Sequence, residues 1–422
     1  MPGWLRASGR YAVDSRSRRC RPADGISAVG NDLTALAVPW LVLETTGSAA
    51  QAGLVVAVGT AAGLLGGLFG GGVVDRLGHK RASIIADLAS AGAVALIPLI
   101  QQSVGLAFWH LLALVFLGAL LDTPGMAARQ SLYPDLARLA HFRLDRTNTT
   151  NQIVYRFAGL VGPLLAGILI ALLGPARVLW IDAATFLVSA GLVALAVPGR
   201  VVNPHARSGE TRPATSYVGE IKEGLAFIRR DRVILWLVSC FCFGNLLAEP
   251  VYAVVLPVYA NQVFGSAFDL GIIFAALAVG SLIGNGLYFA FAPRLPPRAT
   301  IVTGFTVRAL SFWLLIPVPP LAVVSGSIVV NAVFLEPTNP VWMTIRQERV
   351  PARMRGRVFG ALTALGAGSR AIGIVAYGLL LEGIGLQPTL IVLAVVNILP
   401  PLLLWLAPPL RELSKIDPHH PA

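Results

Sequence analysis

Charge is what this chain is short of. Only 13% of its 422 residues are charged, and lysine occurs three times, at Lys80, Lys222 and Lys415. Soluble domains carry roughly 25% charged residues, so a water-soluble globule is excluded. Cysteine is as scarce: Cys20, Cys240 and Cys242 supply neither a disulfide framework nor a zinc spacing. Cys240 and Cys242, two apart in an apolar run, read as inert lining. No lysine sits in a phosphate-cradling G-x-x-x-x-G-K-[ST] loop, which removes a primary pump and leaves an ion or substrate gradient as the driving force. The histidines at 79, 141, 205, 419 and 420 fall in loops or tails and His110 near a helix end. None lies at membrane depth within a run of three or more ligating residues, which argues against an intramembrane enzyme, a metal site or a cofactor.

What is present is apolar. Hydrophobic residues make up 55% of the chain, and its mean hydropathy is +0.72. Runs of about 20 mostly apolar residues, the length a helix needs to cross a bilayer, recur near 26–46, 50–74, 82–101, 106–124, 148–173, 178–198, 232–259, 269–292, 300–317, 321–343, 358–383 and 387–407. The expected fold is an all-α integral membrane protein with twelve spans. A net charge of +12 would suit nucleic acid in a soluble chain. Here the basic residues gather in the N-terminal tail, the even-to-odd loops, the central linker and the C-terminal tail. Only Arg177 lies on the opposite side, and Arg156, Arg308 and Arg370 fall inside expected helices. The positive-inside rule then places both termini in the cytoplasm.

The chain repeats itself. "PWLVLETTGSAAQAG" (39–53) and "PVYANQVFGSAFDLG" (257–271) share P-x7-G-S-A-x3-G at an offset of 218, which also carries Gly66 onto Gly284 and Arg76-Leu77 onto Arg294-Leu295. "RQSLYP" (129–134) matches "RQERVP" (346–351), and "RFAGLV" (156–161) matches "RAIGIV" (370–375). Two six-helix halves in parallel orientation, with a site near the membrane midplane, are a secondary-transporter architecture. The expected organisation is a basic tail (1–25), a first bundle (26–198), a cytoplasmic linker (199–231), a second bundle (232–408) and a cytoplasmic tail (409–422). The linker segment "SYVGEIKEGLAFIRRDR" reads as an amphipathic surface helix with its basic face toward anionic lipid.

Ionisable residues at membrane depth are functional candidates, because each costs several kcal/mol unless paired or wet. Asn31-Asp32 in the first span falls, at offset 218, on Glu249-Pro250 in the seventh. A carboxylate at that depth can take up and release a proton as access alternates. The alternative is that Asp32 and Glu249 form structural bridges to Arg156 or Arg370, which occupy matching positions on the fifth and eleventh spans and are also candidates for an anionic substrate group. Glu336 and Asp122 read as gate or helix-end residues and Asp182 as structural, while Arg308 is placed to snorkel toward the cytoplasm. Trp40, Tyr252, Tyr259, Phe274 and Trp342 are candidates for a cavity lining or for lipid contact.

"GGVVDRLGHKR" (71–81), between the second and third spans, resembles the G-x-x-x-D-R-x-G-R-R signature of the Major Facilitator Superfamily. "PWLVLETTGSA", "ARQSLYPDL" and "RQERVPARMRGRVFGAL" look like the branch containing macrolide, tetracycline-like and siderophore exporters. The resemblance implies a two-bundle fold and a cytoplasmic gate built on this loop. Gly71 would allow close helix approach and Gly78 a tight turn. Asp75 and Arg76 would form a latch against a helix end of the opposite half, with Lys80 and Arg81 as topology determinants. The second copy, "FAFAPRLPPR" (289–298), keeps Arg294 but has Pro293 in place of the aspartate, so the latch is expected in the first half alone. "GLVGPLLAG" (159–167) resembles the Gly-Pro motif of the superfamily's antiporters, through Gly159, Gly162, Pro163 and Gly167, although its upstream glycine spacing departs from the usual form.

These readings imply proton-coupled efflux of small amphipathic compounds by alternating access from the cell (inner) membrane, with uptake on the same fold as the alternative. The expected partners are a small-molecule substrate, protons and membrane lipid, with no nucleic acid and no cofactor, and the chain is expected to act as a monomer. One stretch fits poorly. The repeat asks for a first helix starting near residue 14, but 14–25 reads "DSRSRRCRPADG", too rich in arginine to continue a span. Either the first helix is short or the first 25 residues are not the natural start.

Overall fold

Among the described residues the chain is helical throughout, with no strand. A computed structural model describes residues 3–139, 144–197, 214–291, 294–351 and 354–406, without the side chains of 3–23, 75, 133–139, 144–153, 155–156, 196, 214–218, 220–221 and 232–233. The first six helices are α1 (Gly3–Thr46), α2 (Ala49–Leu77), α3 (His79–Ser103), α4 (Phe108–Leu139), α5 (Leu144–Leu173) and α6 (Pro175–Ala196). Next come α7 (Ala214–Arg230) and α8 (Arg232–Pro250), which runs on through π-helical turns at Val251–Val255 and Ala260–Phe264 on either side of α9 (Leu256–Tyr259). The last are α10 (Ala267–Phe291), α11 (Pro297–Trp313), α12 (Leu321–Leu335), α13 (Thr338–Arg349), α14 (Arg355–Ile384), α15 (Leu386–Val396) and α16 (Leu399–Leu406).

Ten helical stretches of the described residues are long and apolar enough to cross a membrane, from Asp24–Thr46 to Leu386–Leu406. Of the other two expected spans, one coincides with a shorter apolar helix, Phe157–Leu173 within α5, and the other falls on α11, whose 17 residues include Arg298 and Arg308 and are short of spanning length. Several spans are broken where sequence chemistry demands it. Pro257 lacks the N–H that a regular ladder needs, and π-helical turns surround it. Pro337 separates α12 from α13 within the single candidate span Leu321–Arg349.

The arginine-rich stretch before residue 25 corrects the expectation drawn from it. It does continue the first helix, since α1 is unbroken from Gly3 to Thr46. The arginine penalty applies to the bilayer centre and not to a helix extending beyond it. The apolar part begins at Asp24 and has 23 residues, roughly 34 Å at 1.5 Å per residue.

The chain divides into two compact units: Met1–Thr45 with Val55–Thr211, and Thr46–Leu54 with Arg212–Ala422. In the first, α3 packs against α4 and α6. In the second, α10 packs on α12, α11 on α12, and α14 on α8. Lipid is as apolar as leucine, so helices in a membrane associate through close packing at small residues, and glycines mark the approaches. A side chain at Gly66 would strike the Leu120 backbone and Pro124 of α4, and one at Gly70 would strike Pro124. In the second unit a side chain at Gly280 or Gly284 would strike α12 at Val329 and Val333. Gly66 and Gly284 are partners in the sequence repeat, and each brings its helix against the second helix after it.

The linker helix α7 lies against protein. Leu225, Phe227 and Ile228 pack into a cluster with Ile234 and Val238 of α8 and Val358, Ala361 and Leu362 of α14. Gly224 leaves room for the Arg357 backbone, 2.8 Å from where its Cβ would stand. Glu223 pairs with Arg357, and Lys222, Arg229 and Arg230 are exposed.

Candidate functional site

Helix α1 carries a polar stripe through the first unit. Asp24, Ser27, Asn31 and Thr34 recur at intervals of three and four, one face of a helix. Each meets a polar partner on another helix. Asp24 accepts a hydrogen bond from Arg129 Nε at 2.7 Å, and Ser27 Oγ accepts one from Arg129 Nη2 at 3.4 Å. The same guanidinium pairs with Asp87 of α3 and lies 3.9 Å from Asp122, one helical stretch up its own α4. Ser189 Oγ of α6 donates to the other Asp87 oxygen at 2.8 Å. Asn31 Nδ2 donates to Asp122 at 3.0 Å, and Thr34 donates to Asp182 of α6, which also accepts from Thr185 at 3.0 Å. Arg129 is 5% exposed, Asp24 3% and Asp87 1%. A buried charge is tolerated when it is paired and its remaining sites are hydrogen-bonded, which Arg129 achieves with four side chains.

Asp32 stands apart from this network. It is the one acid with a described side chain in the first unit that has no ion pair or hydrogen bond among the described residues, and it is half-buried. Its side chain rests over Gly162 of α5: a Cβ at that glycine would lie 2.7 Å from Asp32 Cβ and 3.0 Å from its Cγ. Pro163 and Gly167 are buried beside it. Gly159, by contrast, is exposed and has no atom within 4 Å of a Cβ position.

The second unit holds a different set. Arg370 of α14 pairs with Glu249 of α8 at 3.6 Å, with 42% and 43% of the two side chains exposed. Of the bridges weighed as the alternative to a coupling role, the one between Glu249 and Arg370 is present, and it is half-exposed rather than buried. Glu336, at the break before α13, accepts from Asn339 Nδ2 at 3.3 Å. Arg308 does not snorkel: it is 4% exposed, between the rings of Phe305 and Phe312 at 5.9 and 5.6 Å. The rings lie three residues before and four after it, so α11 supplies its own aromatic cradle. Trp342 and Tyr259 are buried in the second unit and Trp40 in the first, which corrects lipid contact for these three.

At the loop between α2 and α3, Gly78 has φ 79°, a left-handed conformation that strains any side chain. Gly71 has no atom within 4 Å of a Cβ position, so the close approach expected there belongs to Gly66 and Gly70. Lys80 does more than set topology. Its Nζ donates to the Ala194 and Val197 carbonyls at 2.8 and 2.6 Å, capping the end of α6 where carbonyls lack helical partners. Arg76 and Arg81 are exposed. The side chains of Asp75 and Arg156 lie outside the described residues.

Sequence reasoning missed Arg129, Asp24, Asp87 and Thr34. Asp87 was visible inside the expected span 82–101. Arg129 was not, because the fourth span was ended at 124 and α4 continues to Leu139. Asp24 was counted with the basic tail.

Two repeated units of apolar helices, with ionisable side chains held at membrane depth, define a membrane transport protein. The model of the Major Facilitator Superfamily matches residues 25–287 and 243–421, and the chain belongs to that superfamily. It is similar to the multidrug efflux pump Tap of Mycobacterium tuberculosis, with 32% identity over 392 residues that cover 92% of each chain. It is also similar to macrolide efflux protein A of Streptococcus pyogenes, 21% identical over 407 residues covering 93% of this chain and 95% of that one. Its fold resembles that of the nucleoside transporter NupG, with a TM-score of 0.71 at 12% identity, covering 92% of this chain and 98% of the other. It is thus a multi-pass membrane transporter of small molecules and not an enzyme.

Proposed function

We propose that the protein exports small amphipathic compounds, multiple drugs among them, from the cytoplasm across a bacterial inner membrane in exchange for protons. The observation that carries this reading is the 32% identity with the Tap efflux pump over nearly the whole of both chains. It works by alternating access through the twelve spans expected from its sequence, with both termini in the cytoplasm and the chain acting as a monomer. Asp32 is the coupling group: it takes a proton while the site faces outward and releases it while the site faces the cytoplasm, and the substrate moves the other way. That it has no cation partner among the described residues supports this, since a clamped carboxylate such as Asp87 has no reason to exchange a proton. In the second unit the half-exposed pair Glu249–Arg370 meets charged groups of the substrate and Glu336 serves beside it; in the first, Asn31 and Arg156 serve substrate passage. Gly71, Asp75, Arg76, Gly78, Lys80 and Arg81 form the cytoplasmic gate. The exposed bases of α7 face anionic lipid.

The test is efflux of ethidium and a panel of labelled antibiotics from a host stripped of its own pumps, with inverted vesicles energised by a pH gradient. Uptake into those vesicles, abolished by collapsing the gradient, is the expected result. Accumulation in intact cells instead would show an importer.

A further inference from the structure

We infer that Gly162 is a positioning residue for Asp32, so that the Gly-Pro motif of α5 and the coupling carboxylate of α1 form one device. The inference rests on the proposed coupling role of Asp32. Asp32 has no described donor or cation to hold it, so its placement depends on shape. The shape is a notch in α5: the missing side chain of Gly162 leaves the space that Asp32 Cβ and Cγ fill, 2.7 and 3.0 Å from where a methyl group would stand. Buried Pro163 follows it, and buried Ala166 lies one turn further along. The described charged groups that α3, α4 and α6 present are engaged elsewhere. Asp87 of α3 and Arg129 of α4 pair with each other, Asp122 of α4 accepts from Asn31, and Asp182 of α6 accepts from Thr34 and Thr185. Glycine inside a helix costs roughly 0.5–1 kcal/mol relative to alanine. Gly159 on the same helix has open space, so the need for glycine at 162 comes from Asp32 and not from α5.

The device works by holding an unclamped acid in one place. A proton acceptor pinned by an arginine keeps its charge, whereas one left free adopts several rotamers and meets the proton path in only some of them. Seating the carboxylate in a notch fixes its position: Oδ2 is turned against Gly162 together with Cβ and Cγ, and no described cation clamps the group.

The experiment compares gradient-driven ethidium transport with energy-independent ethidium counterflow in proteoliposomes. Gly162→Ala is expected to lose about tenfold in gradient-driven transport, the effect of about 1.4 kcal/mol, and to keep counterflow within about twofold of wild type. Gly92→Ala, at an exposed α3 glycine with nothing within 4 Å of a Cβ position, is the control and is expected to match wild type in both assays. Asp32→Asn is expected to behave as Gly162→Ala does, and the double variant to be no worse than either single, since residues acting as a unit are non-additive. Wild-type coupling in Gly162→Ala, or losses that multiply in the double variant, would overturn the positioning role. Gradient-driven transport at the wild-type rate in Asp32→Asn would instead overturn the coupling reading itself. If Gly162→Ala does not fold, Asp32→Gly in the same chain is expected to restore a monodisperse protein, and failure to do so overturns the inference.

Discussion

Arg129 and Asp24 are 105 residues apart in sequence and 2.7 Å apart in the fold, and through that contact α1 is bound to α4. Asp87 on α3 and, through it, Ser189 on α6 join the same guanidinium. Four helices of the first unit therefore share one buried cation.

Removing that cation takes away the positive charge that Asp24 and Asp87 share and leaves Asp87 with only the Ser189 hydroxyl of the contacts described above. Arg129→Met is expected to cost about 3–5 kcal/mol, the penalty of breaking one side of a buried ion pair. Thermal unfolding of purified protein in detergent checks it. A variant that unfolds at the wild-type temperature would mean the network is solvated.

The Lys80 cap of α6 predicts a smaller effect with a clear contrast. Lys80→Ala is expected to lose about 1 kcal/mol, a typical net hydrogen-bond contribution, and Arg81→Ala, an exposed neighbour, to stay within about 0.5 kcal/mol of wild type. Hydrogen exchange at the end of α6 is expected to quicken in the first variant only.

The glycine contacts predict where bulk is refused. Gly66→Val and Gly284→Val are each expected to prevent recovery of a monodisperse protein, because the intruding side chain meets backbone rather than a flexible tip. Gly71→Ala is expected to be recovered at wild-type yield. Size-exclusion profiles of the three variants decide it.

At the gate, Asp75→Asn is expected to slow turnover more than it weakens binding. A latch made only while the cytoplasmic side is closed changes the balance of states, not the contacts to substrate. Efflux rate against ethidium concentration separates the two: maximal rate falls and half-saturation hardly moves. The reverse pattern would place Asp75 in the binding path.

Linker docking gives a fifth prediction. Ile228→Asp is expected to release α7 from α8 and α14, seen as faster hydrogen exchange over 214–230. Glu223→Ala removes an exposed pair with Arg357 and is expected to change stability by less than about 1 kcal/mol.

The fold was legible because the bilayer leaves so few options: apolar runs of spanning length mark the helices, and a shared offset of 218 marks the repeat. Glu249–Arg370 was legible for the same reason, as charges inside apolar runs stand out. Arg129 was hidden by its position near the end of a span, where an arginine looks like any topology determinant and only a three-dimensional partner distinguishes it. The notch at Gly162 was half visible: its motif could be read, but no spacing rule connects residue 162 to residue 32. Gly71 misled because glycine runs such as "GGLFGGG" do not say which of their members touches another helix.

The matched approaches at Gly66 and Gly284 separate two kinds of constraint on the two halves. The segments that follow these glycines differ, one carrying Asp75 and Gly78 and the other Pro293 and Pro296. What the halves hold in common is the place where backbone touches backbone, and what sets them apart is the turn beyond it. Packing thus tolerates one residue at these points in both halves, while the turns answer to demands that each half meets separately.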